Sequence, residues 1–410
     1  MESWKEAYRV FAADLASRGF DVEGIKKDLK AQWIETPSWG YADSGTRFKV
    51  FKQAGAARTT FEKLADAAQV HKYTGVAPSV ALHIPWDKVD DYAELSAYAA
   101  SLGLKLGAIN PNLFQEDDYM LGSLCSPFPA VRKKAVDHCL ECIQIARTVG
   151  SNNISLWLAD GTSSPGQDSF RARKHRLVET LTEVYAEMPP SMRILVEYKF
   201  FEPNFYSTDL GDWGASLLVC QKLGERAQVL VDLGHHALGA NIEQIVAFLI
   251  DEGRLGGFHF NNKKFADDDL TTGSINPYEL FLIYNELIDG ALDPAVKMDV
   301  AYMIDESVNI KPKIESVIQS VVNVQEAYAR ALLVDRKTLR DAQLSGDVVL
   351  AEETVQRAFR ADVTPLLAQV RAEMGLAPDP LAAYRASGYY QRVCAERGKA
   401  GRDGSGYQGA

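Results

Sequence analysis

Four short segments between residues 196 and 307 each carry, at or just past the end of an apolar run, a side chain that can bind a metal or move a proton. They are Glu197 in "VEYK", Asp232 in "VDLGHH", His259 in "FHFNN" and Asp305 in "MIDES". Any one of them alone reads as a loop cap or a hydrogen-bonded polar group. Four in succession at equivalent positions do not. Carboxylates with one imidazole suit a borderline-to-hard divalent ion such as Mn²⁺, Mg²⁺ or Co²⁺. Zinc sites usually hold more histidine or cysteine.

A second group lies close by in the sequence. The 410 residues hold only seven histidines, and two of them, His235 and His236, stand side by side three residues past Asp232. The run "NNKKFADDDL" (261–270) follows His259 directly. In an extended or turning segment Asp267 and Asp269 face one way and Asp268 the other. With His235 they compose a second, more open metal site. So many carboxylates would repel one another unless positive charge offset them. Lys199, two residues beyond Glu197 on the same strand face, supplies part of that offset. His83 in "LHIPWD" closes another apolar run, and Trp39, Trp86, Phe114 and Trp157 each fall near such an end. Aromatic side chains there suit the walls of a sugar site, where they cover CH faces while polar groups fix hydroxyls.

These residues need a scaffold that brings consecutive strand ends together. Eight short apolar runs alternate with amphipathic stretches between about residues 35 and 305: 35–41, 79–86, 105–112, 153–160, 193–199, 227–234, 255–262 and 299–305. Near-continuous apolarity is expected of strands buried on both faces. Eight such units separated by helices point to an α/β fold, a (β/α)₈ TIM barrel, whose functional groups cluster at the C-terminal strand ends. A doubly wound sheet would favour a Gly-rich turn after its first strand, and no GxGxxG occurs. Residues 1–34 form N-terminal helices, 35–312 the barrel, 313–400 a C-terminal helical extension that packs on the barrel or builds a subunit interface, and 401–410 a polar, Gly-rich disordered tail. Within the extension, 314–343, 348–375 and 380–400 each carry helical periodicity.

A net charge of -11 speaks against non-specific nucleic-acid binding, which needs clustered basic residues. The amino terminus has charges throughout and does not read as a signal peptide. No apolar run approaches the roughly 18 residues that span a bilayer. Cys139 and Cys142, three apart in a helical stretch, favour packing over a disulfide or zinc site. A reducing, cytoplasmic setting is expected.

The combination of "PSWGYADSGTRF" (37–48), "LHIPWD" (82–87), "WLADGTSSPGQ" (157–167), "EYKFFEPNFYSTDLGDWG" (197–214), "VDLGHH", "GGFHFNNKKFADDDL" (256–270), "MIDES" and "YRASGY" (384–389) resembles the L-rhamnose isomerases. The likeness is to their broad-specificity bacterial branch, within the xylose-isomerase-like group of metal-dependent barrels. The resemblance implies two divalent ions per subunit, with Mn²⁺ preferred. Glu197, Asp232, His259 and Asp305 would hold a structural or substrate-anchoring ion, and His235, Asp267 and Asp269 a catalytic one. Lys199 and His83 match substrate-contacting positions, and the expected assembly is a homotetramer acting on a monosaccharide. Three positions depart from the pattern: Tyr198 and Val308 stand where histidines are expected, and Asn262 where an acid is.

Aldose–ketose isomerisation on such a site runs by a hydride shift between C1 and C2, with Asp305 assisting the proton transfer between O1 and O2, or by a cis-enediol that needs a base beside C2. A related ketose epimerase would use a pair of glutamates, and Glu197 has no second glutamate at a strand end. Metal-dependent hydrolysis or endonuclease chemistry would need a basic groove, for which Lys199, Lys263 and Lys264 are the only candidates at the mouth. A sugar-binding protein without turnover would not need open metal ligands.

Overall fold

Eight parallel strands close on themselves in the computed structural model, which describes residues 3–44, 50–202 and 207–398. The strands are β1 (Glu35–Pro37), β2 (Ser79–Ile84), β3 (Lys105–Pro111), β4 (Asn153–Leu156), β5 (Arg193–Glu197), β6 (Ala227–Asp232), β7 (Leu255–Phe260) and β8 (Ala301–Ile304). Each pairs with its neighbour in sequence, and Glu35 opposite Met303 joins β1 to β8. This is the (β/α)₈ barrel expected from the alternation. The tail at 401–410 and residues 45–48 and 203–206 of two quoted motifs lie outside the described residues.

The strands are shorter than the apolar runs that announced them, and the difference places the chemistry. β4 stops at Leu156, so Trp157 is the first residue of the loop, and β8 stops at Ile304, so Asp305 is the first residue beyond it. Every residue of β2 and of β7 is buried, as a parallel sheet covered on both faces requires. Inside the barrel, Trp39, Ala81, Ala108, Leu195, Leu230 and Met303 pack as one cluster. At the N-terminal end the Glu35 carboxylate is buried, accepting from Ser79 Oγ at 2.6 Å and from the Ala108 N–H at 3.0 Å. A Cβ on residue 107 would fall 1.4 Å from Glu35 Oε2, so the carboxylate occupies the space that Gly107 leaves free.

Local chemistry starts the helices where the sequence supplies a cap. Thr59 and Glu62 form a reciprocal capping box at the helix Thr60–Thr74, and Asp91, Ser169, Asp212, Asn241 and Asn276 cap the later barrel helices by accepting from backbone N–H groups. The C-terminal region is more divided than its periodicity implies. The stretch 314–343 breaks into Lys313–Leu332 and Arg336–Ser345, because Asp335 caps a new helix by accepting from the Thr338 N–H. The stretch 348–375 breaks into Val348–Phe359 and Thr364–Glu373, with Pro365 in the first turn of the second helix. The stretch 380–400 breaks into Pro380–Ala386 and Tyr389–Arg397 at Gly388, whose φ of 68° a helix does not hold. All five cysteines are free thiols, and Cys139 and Cys142 lie on the buried face of Pro129–Val149. Among the described residues no helix is long and apolar enough to cross a membrane.

The last helix is tied to the barrel through charge. Asp66, buried on Thr60–Thr74, accepts from Arg397 Nη1 at 2.7 Å, Arg397 Nη2 at 3.1 Å and Tyr389 Oη at 2.8 Å. Removing the carboxylate leaves that guanidinium, only 7% exposed, with just the Gly55 carbonyl at 2.8 Å and the Glu62 carboxylate at 3.5 Å. Asp66→Ala is therefore expected to lower unfolding free energy by about 3–5 kcal/mol in chemical denaturation. Asp341→Ala, which breaks the exposed pair with Lys337, should change it by about 0.5 kcal/mol or less.

Candidate functional site

The C-terminal ends of β5 to β8 bring four side chains to one point. Glu197 and Asp232 are the last residues of their strands, Asp232 stands opposite His259 in the ladder, and Asp305 follows β8. One ligand-capable atom from each lies within 4.8 Å of the others. His259 Nδ1 is 3.2 Å from Glu197 Oε2, 3.3 Å from Asp305 Oδ2 and 3.8 Å from Asp232 Oδ2. None of these contacts is aligned as a hydrogen bond, and Nδ1 is left buried without a partner. The carboxylates are oriented from behind. Asn261 Nδ2 donates to both oxygens of Asp232 at 3.0 and 3.1 Å, the Gly234 N–H donates to Asp232 Oδ1 at 2.7 Å, and Trp39 Nε1 donates to Asp305 Oδ1 at 2.8 Å.

The second group gathers beside the first. His235 Nδ1 lies 3.0 Å from Glu197 Oε1 and 3.1 Å from the Tyr198 carbonyl, which turns Nε2 towards Asp267 Oδ1 at 3.6 Å. Asp267 Oδ1 is a second buried atom with no hydrogen-bond partner, while Lys199 Nζ donates to Asp267 Oδ2 at 2.9 Å. Asp269 lines the same cavity from a left-handed backbone, φ 49°, which costs a non-glycine residue free energy. Asp268 turns away, accepting from the Lys264 and Phe265 N–H groups at 2.5 and 2.7 Å. A Cβ on residue 234 would come within 3.1–3.2 Å of Asn261 Oδ1, Asp232 Oδ1 and Asp267 Oδ1, so glycine there lets the two groups approach.

Burial and mutual repulsion determine the protonation. Burial, with the neighbouring Glu197 and Asp267 charges, holds the Asp232 carboxyl above its ordinary range. Burial and the charges of Asp267, Asp305 and Asp232 push Asp269 well above it. Burial opposes the charged form of His259, but Glu197 and Asp305 outweigh it and raise the imidazole to about 9. In the protein alone, protons serve as the counterions. The donor set fits a divalent cation: carboxylates and imidazoles, two buried ligand atoms without partners, and hydrogen bonds that fix the outer oxygens.

Between these groups and solvent lies a cavity of about 60 Å³, walled by Trp39, Trp86, Phe114 and Trp157 with His83 among them. The His83 ring stacks on Trp86 at 3.8 Å and meets Trp39 and Phe114 edge-on at 5.6 and 5.7 Å. Its backbone N–H donates to Asp87 Oδ2 at 2.8 Å, and Asp87 is in turn paired with the fully buried Lys63 at 2.7 Å. Burial, with His138 and Lys63 nearby, holds the His83 imidazole well below its ordinary value, so it is neutral. Lys199 Nζ lies 5.0 Å over the Trp157 ring. Burial opposes its charge, but Asp267 and Glu202 raise its pKa and keep it an ammonium.

All thirteen side chains singled out in the sequence thus meet at one end of the barrel. The sequence reading missed three. Asn110 and Ser307 line the cavity, Asn110 in β3 and Ser307 two residues past Asp305, and Glu202 shares Lys199 at 2.9 Å. Their positions at or beyond strand ends were the available signal. Of the departures, Tyr198 points to the other face of β5 and its hydroxyl meets His236 Nε2 at 2.6 Å, while Asn262 and Val308 do not line the cavity. A larger cavity of about 590 Å³ opens at the opposite end, among Trp33, Glu35, Arg193 and Tyr302, and among the described residues it brings together no comparable cluster of ligand atoms.

Because His259, Asp232 and Asp269 hold protons that a cation must displace, binding of Mn²⁺ should release protons and tighten as pH rises from 6 to 8. Calorimetric titration in buffers of different ionisation enthalpy measures this. Affinity independent of pH would contradict the assigned protonation.

Residues 64–283 match the family described as the xylose isomerase-like TIM barrel. A probable sugar isomerase of Rhizobium meliloti is 46% identical over 395 residues, covering 95% of this chain and 92% of that one. One of Mesorhizobium japonicum is 45% identical over the same length and the same shares. Among solved structures, that of an L-ribulose 3-epimerase superposes with a TM-score of 0.56 at 16% identity, over 77% of this chain and 98% of that one, a likeness of fold. The strand order and the matched region agree, and this chain belongs to the xylose isomerase-like TIM barrel family.

Proposed function

We propose that the chain is a metal-dependent aldose–ketose isomerase of the L-rhamnose isomerase kind, interconverting L-rhamnose and L-rhamnulose and related sugars. The observation that carries this reading is the position of Asp305. One of its oxygens is held by Trp39, and the other faces both the ligand cluster and the aromatic-walled cavity. The relatives named as probable sugar isomerases support it.

Glu197, Asp232, His259 and Asp305 would hold one divalent ion, and His235, Asp267 and Asp269 a second, with Mn²⁺ best suited to the mixed donor set and Co²⁺ or Mg²⁺ acceptable. Charge supports two. Five carboxylates line the cavity, Lys199 contributes one positive charge, and neutral imidazole ligands leave four negative charges to balance. Bound there, such ions supply Lewis-acid polarisation of the substrate's C1 and C2 oxygens.

The reaction moves a hydride from C2 to C1 and a proton from O2 to O1, with no net oxidation. Asp305 is suited to carry that proton. Its Oδ1 is committed to the Trp39 N–H, so exchange falls on Oδ2. Lys199, held as an ammonium, donates to a substrate oxygen rather than accepting a proton. Neutral His83 can donate or accept at a sugar hydroxyl. Trp86, Phe114 and Trp157 cover CH faces and exclude water from the carbon that is momentarily electron-poor. An epimerase reading would ask for a second glutamate, and Glu197 is the only one among the described residues that line the cavity.

Protein stripped with EDTA and reconstituted with Mn²⁺ should form ketose from one or more of L-rhamnose, L-mannose, L-lyxose and D-allose. Asp267→Asn and His235→Ala should each lose about a hundred- to a thousandfold in kcat while folding normally, as for removal of groups that stabilise developing charge. Absence of ketose from every sugar in the reconstituted wild type would refute the reading. Run in D₂O, the reaction should leave C1 and C2 free of deuterium. Solvent deuterium at C1 would instead establish an enediol route.

Trp39→Phe should cut kcat roughly tenfold with little change in KM, the loss of about 1.5 kcal/mol from one charge-assisted hydrogen bond. An unchanged kcat would remove Asp305 from the proton path.

A further inference from the structure

A second cluster of buried ionisable groups lies outside the cavity, beneath the loops that follow β3, β4 and β5. One atom each of Cys125, Asp160 and Asp209 lies within 4.8 Å of the others, a spacing that resembles a metal site. The chain has put its own cation there. The Arg173 guanidinium, from the first turn of Phe170–Glu187 and only 2% exposed, forks onto Asp209 with Nε at 2.9 Å from Oδ1 and Nη2 at 3.0 Å from Oδ2. Nη2 also donates to Cys125 Sγ at 2.8 Å, and Nη1 reaches Asp168 Oδ2 and the Leu121 carbonyl, both at 3.2 Å. Burial and the two neighbouring aspartates push the Cys125 thiol well up, so it stays protonated and donates to Asp160 Oδ2 at 3.0 Å. Asp160 in turn accepts from the Ser123 N–H at 2.8 Å. One side chain thereby links three βα loops.

What those loops carry gives the cluster its consequence. The Asp209 N–H donates to the Asp160 carbonyl at 2.8 Å, and the residues on either side of Asp209 hold both backbone groups of Lys199. The Lys199 N–H donates to the Leu210 carbonyl at 3.0 Å, and the Thr208 hydroxyl donates to the Lys199 carbonyl. Lys199 lies past the end of β5, where no ladder partner fixes it. Its ammonium nevertheless has to span Asp267 at 2.9 Å and Glu202 at 2.9 Å while lying over Trp157. Trp157 itself stands three residues before Asp160.

We propose that Arg173 is a positioning residue for Lys199: by clamping Asp209 it fixes the segment 208–210 that holds the Lys199 backbone, and so sets the grip of Lys199 on Asp267. The planar fork is the requirement, since a lysine at 173 keeps the charge but cannot make the two parallel bonds to Asp209 or reach Cys125 and Leu121 together. This rests on the proposed role of Asp267 as a metal ligand only in the first of its two readouts.

The test is a double-mutant cycle in the full chain with Arg173→Lys, Lys199→Met and the double variant, reading the Mn²⁺ dissociation constant and the melting temperature. Arg173→Lys should change the Mn²⁺ dissociation constant at least threefold in the wild-type background and by less than a factor of 1.5 in the Lys199→Met background. Its melting-temperature shift should likewise shrink when Lys199 is already gone. Equal effects in both backgrounds, by both readouts, would show that Arg173 serves folding alone and overturn the proposal. If Arg173→Lys does not fold, Asp209→Asn, which keeps the shape of the side chain and weakens the fork, replaces it in the same cycle. A wild type that took up no Mn²⁺ would refute the metal reading of the mouth. The proposal would then stand or fall on the melting-temperature cycle.

Discussion

Like charge crowded into a dry space is the constraint on which the rest of this structure depends. Glu197, Asp232, Asp267, Asp269 and Asp305 all line a cavity of about 60 Å³. Two carboxylates 4 Å apart repel by about 4 kcal/mol at an effective dielectric near 20, several times the contribution of an ordinary hydrogen bond. The fold answers in three ways. Protons stay on groups that would ordinarily lose them, above all His259 and Asp269. Lys199 is held as an ammonium against Asp267. Donors that cannot titrate, the Asn261 amide, the Gly234 N–H and the Trp39 indole, each take an oxygen. A cation entering the site would displace the first of these and leave the other two in place, with no rearrangement of the strands.

The barrel makes that crowding sustainable because the repelling groups sit on elements that cannot move apart. Parallel pairing from β5 to β8 fixes the separation of Glu197, Asp232, His259 and Asp305 at the ladder spacing, and closure between β1 and β8 brings Trp39 to Asp305 across 266 residues of sequence. Asp267, Asp269 and Lys199 are different. They lie beyond the strands, and each is held by a local device: the Asp268 carboxylate on two backbone N–H groups, the left-handed Asp269, the Thr208 and Leu210 bonds to Lys199. The first group is therefore rigid by topology and the second by loop chemistry. Sequence changes in loops should reach the second group far more readily than the first.

This division also explains what was legible in the sequence. Strand ends announce themselves by the break from apolar to polar residues, which is why Glu197, Asp232, His259 and Asp305 could be picked out, and why eight runs sufficed for the barrel. Asp267 and Asp269 could be picked out because their run follows His259 so closely. Asn110 in β3 and Ser307 and Glu202 in loops carry ordinary side chains with no local signal, and only the barrel's closure brings them to the cavity or its edge. Arg173 is further from legibility, since its partners Leu121, Cys125, Asp168 and Asp209 come from three separate loops. The helix breaks at Asp335 and Gly388 were masked for another reason: apolar periodicity runs through both, and a cap or a left-handed glycine interrupts the backbone without interrupting the pattern.

Tyr198 and His236 show how one alternation serves both faces of the wall. Along β5 and its extension, Glu197 and Lys199 face the cavity, so Tyr198 between them faces the helices. At the turn after β6, His235 faces the cavity and His236 the opposite side. The two outward side chains meet, the Tyr198 hydroxyl against His236 Nε2 at 2.6 Å, and Lys263 donates to the His236 carbonyl. Burial, with Lys263 and His235 nearby, keeps His236 neutral, down at about 3, and burial with the surrounding carboxylates keeps the Tyr198 proton in place. The phenol therefore donates and the imidazole accepts, and that one bond ties the end of β5 to the turn after β6 directly behind Glu197 and His235. A histidine at 198 carries its ring nitrogens closer to the backbone than tyrosine carries its hydroxyl, and would need a different partner geometry at 236. The tyrosine and the second histidine of the pair thus act as a unit, and the distance between Glu197 and His235 on the cavity side is set in part by the bond between the two outward residues behind them.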